Sequence, residues 1–111
     1  MKKDVTARAC REFRTPFYLL NLEEFREQIR GLQAVLGKNI RLCYAVKANP
    51  FLIRTAAGEG LKLEVCSPGE LAICERLGIS MEQIVLSGVY KEENGILEWM
   101  RRQKGKGIYT V

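Results

Sequence analysis

The chain contains no histidine among its 111 residues. That removes the imidazole from every general-base, relay and metal-ligand role within it. Cys10, Cys43, Cys66 and Cys74 are present, but no two have CxxC spacing, so no zinc site or dithiol motif can be assembled and no metal is expected. Three of these four thiols read as small buried residues in a reducing compartment. No apolar run reaches the length of a membrane span, and the opening "MKKDVTARACREF" lacks the apolar stretch of a secretory signal. The expected location is therefore cytoplasmic, with no membrane partner.

Basic charge is in excess, at +5, but it lacks the company that nucleic-acid binding needs. Much of it lies in Lys2, Lys3, Arg8, Arg11 and Arg14, and again in Arg101, Arg102, Lys104 and Lys106. No aromatic residues interleave with the second cluster to stack on bases. That cluster closes an expected helix, where cations suit the negative end of the helix dipole. No nucleic-acid partner is expected. With 47% hydrophobic residues the chain can build one modest core.

What the sequence does have is alternation of strand and helix. "FYLL" (17–20) reads as a short strand. Asn21 caps a helix with Glu24 completing a capping box, and Leu22, Phe25, Ile29, Leu32 and Leu36 form its apolar stripe up to Gly37. "IRLCYAV" (40–46) is the next strand, and a weaker helix with Arg54 on its apolar side runs from about Phe51 to Gly58. "LKLEVC" (61–66) is a strand. "SPGE" (67–70) is a second capping box, opening a helix that buries Leu71, Cys74 and Leu77. "QIVLSG" (83–88) is a strand, residues 91–103 form a helix resting on Ile96, Leu97 and Met100, and "GIYTV" (107–111) opens one more strand.

Such repetition implies parallel strands with right-handed crossovers, so the fold class is α/β. Four βα-type strands (40–46, 61–66, 83–87, 108–111) follow the first short one. A complete eight-stranded (β/α)8 barrel needs ~250 residues, so the expectation is a partial TIM-type barrel, roughly its first four βα units. A terminal strand left without a following helix points the same way, since parallel sheets rarely tolerate an uncovered face. The competing expectation is a complete small doubly wound sheet.

"LCYAVKANP" (42–50) places a lysine where a buried strand ends. By alternation Ile40, Leu42, Tyr44 and Val46 share one face, and Arg41, Cys43, Ala45 and Lys47 the other. The bulky set suits the layer beneath helices, while Cys43 and Ala45 leave room around Lys47. In parallel α/β folds, chemistry gathers at the carboxyl ends of strands. An amine there, partly desolvated, can attack an aldehyde to form an imine. Position alone favours an ordinary surface lysine.

The string "YAVKANP" resembles the lysine motif of the ornithine, diaminopimelate and arginine decarboxylase family, pyridoxal 5'-phosphate (PLP) enzymes of fold-type III with an alanine-racemase-like barrel. "TPFYLLNLEEFREQI", "LEVCSPGELAICERLGI" and "QIVLSGVYKEE" are similar to further segments of that family in order and spacing, so the resemblance runs from Thr15 to Val111. It implies two regions: an ill-defined N-terminal segment over 1–14, and over 15–111 the N-terminal part of a PLP-binding barrel. It also implies that Lys47 carries the cofactor as an imine. Glu64 of "LEVCS" stands where many members have an acidic residue near that lysine, and if Leu63 and Val65 pack under helices it points into the barrel. Ser67 reads first as a helix cap; Asn49 and Pro50 shape the turn after Lys47. Arg54 departs from the family pattern and puts the packing of its helix in doubt.

The family's stacking histidine, glycine-rich phosphate loop and acidic partner of the pyridine nitrogen have no counterpart in the 111 residues. Its late cysteine and tyrosine, one of them contributed across a dimer interface, have none either. The chain alone is therefore expected not to catalyse. The complete protein is expected to be a homodimeric amino-acid decarboxylase, with diaminopimelate as first choice of substrate and ornithine, arginine or a carboxylated polyamine behind it. A racemase of the same barrel is less well matched, because Pro50 and Phe51 replace its tyrosine-bearing "KANAYGHG"-like string. A PLP carrier or regulatory pseudoenzyme is the non-catalytic alternative.

Overall fold

The computed structural model describes residues 3–88 and 93–110. Val111 and the expected start of the last helix at residues 91–92 lie outside the described residues. Four short parallel strands, β1 (Cys43–Ala45), β2 (Lys62–Val65), β3 (Ile84–Leu86) and β4 (Ile108–Tyr109), form one sheet in the order β1-β2-β3-β4. Each pairs with the next in sequence: Ala45 lies opposite Glu64, Glu64 opposite Val85, and Leu86 opposite Tyr109. Sequential order without reversal is singly wound, which puts the intervening helices on one face as in a barrel. A doubly wound sheet would show a switch point in its strand order. The competing expectation is thus excluded.

Five helices accompany the strands among the described residues: α1 (Lys3–Glu12), α2 (Leu22–Leu36), α3 (Ile53–Gly58), α4 (Pro68–Arg76) and α5 (Glu93–Arg102). Helix α1 occupies the stretch that the sequence leaves ill-defined; its apolar content is low, and only Ala9 is buried. The expected strand at 17–20 does not form. Tyr18 is fully exposed and Leu19 and Leu20 are partly so, and with no neighbouring strand the extended segment has no hydrogen-bond ladder to join.

The caps explain where the better-read helices begin. The Asn21 side chain accepts hydrogen bonds from the backbone amides of Glu23 and Glu24 (3.1 and 3.4 Å), leaving fewer orphan donors at the start of α2. The Ser67 hydroxyl accepts from Glu70 N at 3.3 Å, with Pro68 in the first turn of α4. The Glu70 carboxylate reaches back to Cys66 N at 2.7 Å, one residue beyond the position a strict capping box would use.

The core lies between the helices and one face of the sheet. Leu63, Val65 and Ile84 have no exposed surface, and Ile53, Ala56, Leu71, Cys74 and Trp99 pack above them. Helix α3 enters this core through Ile53 and Ala56 and turns Arg54 outward, so the arginine does not disturb its packing. The stripe on α2 is only half used. Ile29 is buried and Phe25 meets Tyr44 edge-on at 5.9 Å, but Leu22 and Leu32 remain exposed. On α5 the expected contacts Ile96 and Met100 are partly buried, Leu97 is exposed, and the main anchor is Trp99, whose Nε1 donates to Glu75 Oε1 at 2.9 Å.

The cysteine expectation needs correction. Cys74 alone is fully buried; Cys66 is half-buried, and Cys10 and Cys43 are exposed. Cys43 sits on the sheet face away from the helices, where alternation placed it but where no layer covers it. Ile40 is likewise exposed, because the strand begins only at Cys43.

Candidate functional site

β1 is shorter than its sequence pattern. It ends at Ala45, and Val46–Ala48 form a 3-10 turn, followed by another over Pro50–Leu52. Asn49 stands between them. Its side chain accepts from Phe51 N at 3.1 Å, and its carbonyl accepts from the Tyr44 hydroxyl at 3.0 Å, tying the turn back to the strand. Pro50 starts the second turn with its φ already set. Asn49 and Pro50 thus shape the turn.

Within that turn Val46 is wholly buried and Lys47 is exposed. The inward and outward assignment made by strand alternation survives, although the backbone carrying it is helical. Lys47 has no hydrogen bond or ion pair through its amine among the described residues. An amine without a carboxylate partner keeps its lone pair available on deprotonation, as a nucleophile for an aldehyde must.

The open face of the sheet carries the other candidates. Leu63 and Val65 are buried under the helices, so Glu64 between them lies on the opposite face, half-buried. Its register partner is Ala45, two residues before Lys47. The nearest fixed contact of its carboxylate is on the other side: Ser87 Oγ donates to Glu64 Oε1 at 2.7 Å. Glu64 therefore lies on the strand paired with the lysine-bearing end of β1, while the hydrogen bond that holds it comes from just past the end of β3.

Electrostatics on this face run along the strands. Lys62 donates to the Glu82 carbonyl ahead of β3, well below the carboxyl ends. Cys43 lies opposite Lys62, and its thiol is pushed up by burial and then by the Glu64 carboxylate, with Lys62 opposing. Cys66, the next residue after Glu64 on the same face, has its sulfur 3.6 Å from Ser87 Oγ. Gly88 follows with φ of 82°, where a Cβ would stand 3.1 Å from both Cys66 Cβ and Cys66 O. Only glycine fits that approach.

Ser87 and Cys66 were not singled out from the sequence. The signal was there: in "QIVLSG", buried Ile84 and Leu86 alternate with Val85 and Ser87, which places the hydroxyl on the face of Glu64 at the carboxyl end of β3. No group of three or more His, Cys, Asp or Glu side chains is arranged to hold a metal among the described residues. No helix among them is long and apolar enough to cross a membrane. A carbonyl-bearing cofactor fits what is present, namely an unpartnered, exposed amine just past a strand end with an acidic side chain on the neighbouring strand.

Comparison with known proteins bears on the same region. The family model for the pyridoxal-binding domain of pyridoxal-dependent decarboxylases matches residues 22–110. Diaminopimelate decarboxylase of Deinococcus radiodurans is 37% identical over 87 residues, covering 77% of this chain and 23% of the relative. The enzyme of the same name from Aquifex aeolicus is 32% identical over 88 residues, covering 78% and 21%. L-glutamyl-[BtrI acyl-carrier protein] decarboxylase of Niallia circulans is 34% identical over 93 residues, covering 82% and 22%. Among solved structures, lysine decarboxylase of Selenomonas ruminantium superposes with a TM-score of 0.72 at 27% identity, covering 95% of this chain and 27% of that one. The chain thus spans less than a quarter of the length of these curated relatives.

Proposed function

This chain belongs to the pyridoxal-dependent decarboxylases, through their pyridoxal-binding domain, and from that premise we propose that Lys47 is the residue that binds PLP covalently. The observation that carries the proposal is the exposed, unpartnered Lys47 amine just past the carboxyl end of β1, the strand whose Ala45 pairs with Glu64. We further propose that the whole protein is a homodimeric, cytoplasmic amino-acid decarboxylase acting on diaminopimelate. Support for that substrate is the recurrence of diaminopimelate decarboxylases among the relatives. When bound, PLP supplies an electron sink that accepts the pair left behind as the Cα–carboxylate bond breaks and CO2 departs.

The chain's own contributions are local. The Lys47 amine supplies the nucleophile, the turn fixed by Tyr44, Asn49 and Pro50 presents it, and Val46 anchors that turn in the core. Glu64, on the neighbouring strand, offers a carboxylate that can take up a proton from the amine between steps. Cofactor ring stacking, phosphate binding and substrate selection draw on other parts of the whole enzyme.

The test is chemical. Incubation of the chain with PLP, reduction with borohydride and peptide mapping should place the pyridoxyl group on Lys47, and Lys47→Arg should abolish it without loss of fold. A label on Lys38 or Lys62 in its place would overturn the assignment.

A further inference from the structure

We infer that Ser87 is a positioning residue, whose hydroxyl fixes the Glu64 carboxylate on the open face beside the lysine-bearing end of β1. The inference rests on the proposed role of Lys47. A glutamate on an uncovered sheet face has three rotatable bonds and bulk water within reach, so nothing in its own chemistry holds it over the site. Here it is held: Ser87 Oγ donates to Glu64 Oε1 at 2.7 Å, a well-formed hydroxyl–carboxylate hydrogen bond.

The donor is itself constrained from two directions. Ser87 N donates to Val65 O at 2.8 Å, continuing the β2–β3 ladder past its last paired residues. Gly88 lies against Cys66 so closely that a Cβ would meet Cys66 Cβ and O at 3.1 Å, which fixes the two strand ends at one separation. With the Ser87 hydrogen committed to Glu64, the Cys66 thiol at 3.6 Å is the donor in its contact with Ser87 Oγ. The direction of the chain is then Cys66 to Ser87 to Glu64. Only one carboxylate oxygen is used by it, and Oε2 is left for a donor arriving from the open side.

The remaining charged and titratable groups facing this carboxylate are few. Cys43 on β1 lies near enough for the Glu64 charge to raise its thiol, and Lys62 on β2 is engaged with the Glu82 carbonyl at the other end. Neither replaces Ser87 as an orienting donor. A carboxylate held on the strand paired with this end of β1 can accept a hydrogen bond from the Lys47 amine and withhold it from acylation; a freely rotating one does so less.

The experiment is a double-mutant cycle on the full chain, read by the rate of Lys47 acetylation by acetic anhydride at fixed pH, with exposed Lys38 and Lys104 as internal standards. Ser87→Ala and Glu64→Gln should each speed Lys47 acetylation by roughly two- to fivefold relative to the standards, the size expected when one modest hydrogen bond to the amine is lost. Ser87→Thr, which keeps the hydroxyl, should restore the original rate. In the Glu64→Gln background, Ser87→Ala should add nothing further. Should the alanine variant fail to fold, Ser87→Cys keeps the shape with a weaker donor and should move the rate in the same direction. An unchanged rate in Ser87→Ala, or an effect that persists without Glu64, overturns the inference. Failure of the Lys47 reading looks different: borohydride reduction would then label another lysine in the unsubstituted chain, whatever the cycle gives.

Discussion

On one face of the sheet, Leu63, Val65, Ile84 and Leu86 are sealed beneath the helices; on the other, Cys43, Ala45, Lys62, Glu64, Val85 and Ser87 stand on the same strands without a covering layer. Adjacent residues of a strand thus live in opposite environments less than a few ångströms apart along the chain. The covered side chains are branched and apolar, and their tolerance is limited by packing. Most of the open ones are small, polar or thiol-bearing, and among them Glu64 and Ser87 lie toward the carboxyl ends of the strands. Stability and chemistry have been assigned to different faces of one sheet, and substitutions can separate them.

The sharpest separation should come from shortening one apolar side chain on each face. Leu63 has no exposed surface and sits at the centre of the core. Leu63→Ala should cost about 2–5 kcal/mol, the range for a buried leucine whose cavity cannot fully collapse. Val85, one residue along from Ile84 and facing the other way, is only half-buried. Val85→Ala should cost under about 1 kcal/mol. Urea denaturation of both variants decides the matter. Equal losses would mean that the open face is covered in solution, and the contrast between faces would collapse.

A smaller effect is expected where the covered face meets polar chemistry. Trp99 is almost wholly buried between α4, α5 and β4, stacked edge-on against Tyr109 at 5.6 Å and donating to Glu75 Oε1 at 2.9 Å. Arg102 lies 3.6 Å from the same carboxylate oxygen. Trp99→Phe keeps most of the apolar contact and removes the donor. Because Glu75 is at the surface and can turn to water or to Arg102, the cost should be about 1–2 kcal/mol and not the full penalty of a stranded buried charge. A loss as large as that of Leu63→Ala would show that the indole ring's extra volume, not its hydrogen bond, anchors α5.

How much of this was legible in the sequence follows from the range of the forces involved. The caps at Asn21 and Ser67 were readable because a side chain and the amides it satisfies lie within four residues. The faces of β2 were readable because burial imposes period two on "LKLEV". The strand at 17–20 was misread: aromatic and leucine residues favour strands, but a strand exists only when a neighbour completes its ladder, and that neighbour is a tertiary fact. Helix α1 escapes notice for the converse reason, since "KDVTARACRE" is amphipathic in spacing but carries too few apolar residues to announce a packed helix. At the site, Glu64 could be placed on the open face by alternation, and Lys47 just past the end of β1 by its string. The Ser87–Glu64 bond could not, because it joins residues 23 apart through strand register. Register is set by packing of the covered face, so the arrangement on the open face becomes visible only once the other is known.

The finest contrast between the faces lies in two thiols. Cys74 is buried on the core-facing side of α4, and burial, reinforced by the Glu70 charge, pushes its thiol up from the ordinary value of 9.0 to about 11. Cys43 is raised as well, by partial burial and by Glu64, but it stands on the open face within reach of reagents. At mildly alkaline pH, iodoacetamide should therefore modify Cys43 and leave Cys74 intact until the chain unfolds. The stability consequence has a definite sign. The folded chain holds the Cys74 proton more tightly than the unfolded chain, so this contribution is complete below the unfolded value near 9.0 and is lost as pH rises toward about 11. Lysines and tyrosines ionise in the same window, and comparison with Cys74→Ala removes their share. The unsubstituted chain should lose stability more steeply than Cys74→Ala between those two pH values, while Cys43→Ala should follow the unsubstituted chain more closely. Parallel curves for the unsubstituted chain and Cys74→Ala would mean that the Cys74 thiol is as free to ionise beneath the helices as in the unfolded chain, and that the covered face is less sealed than its packing implies.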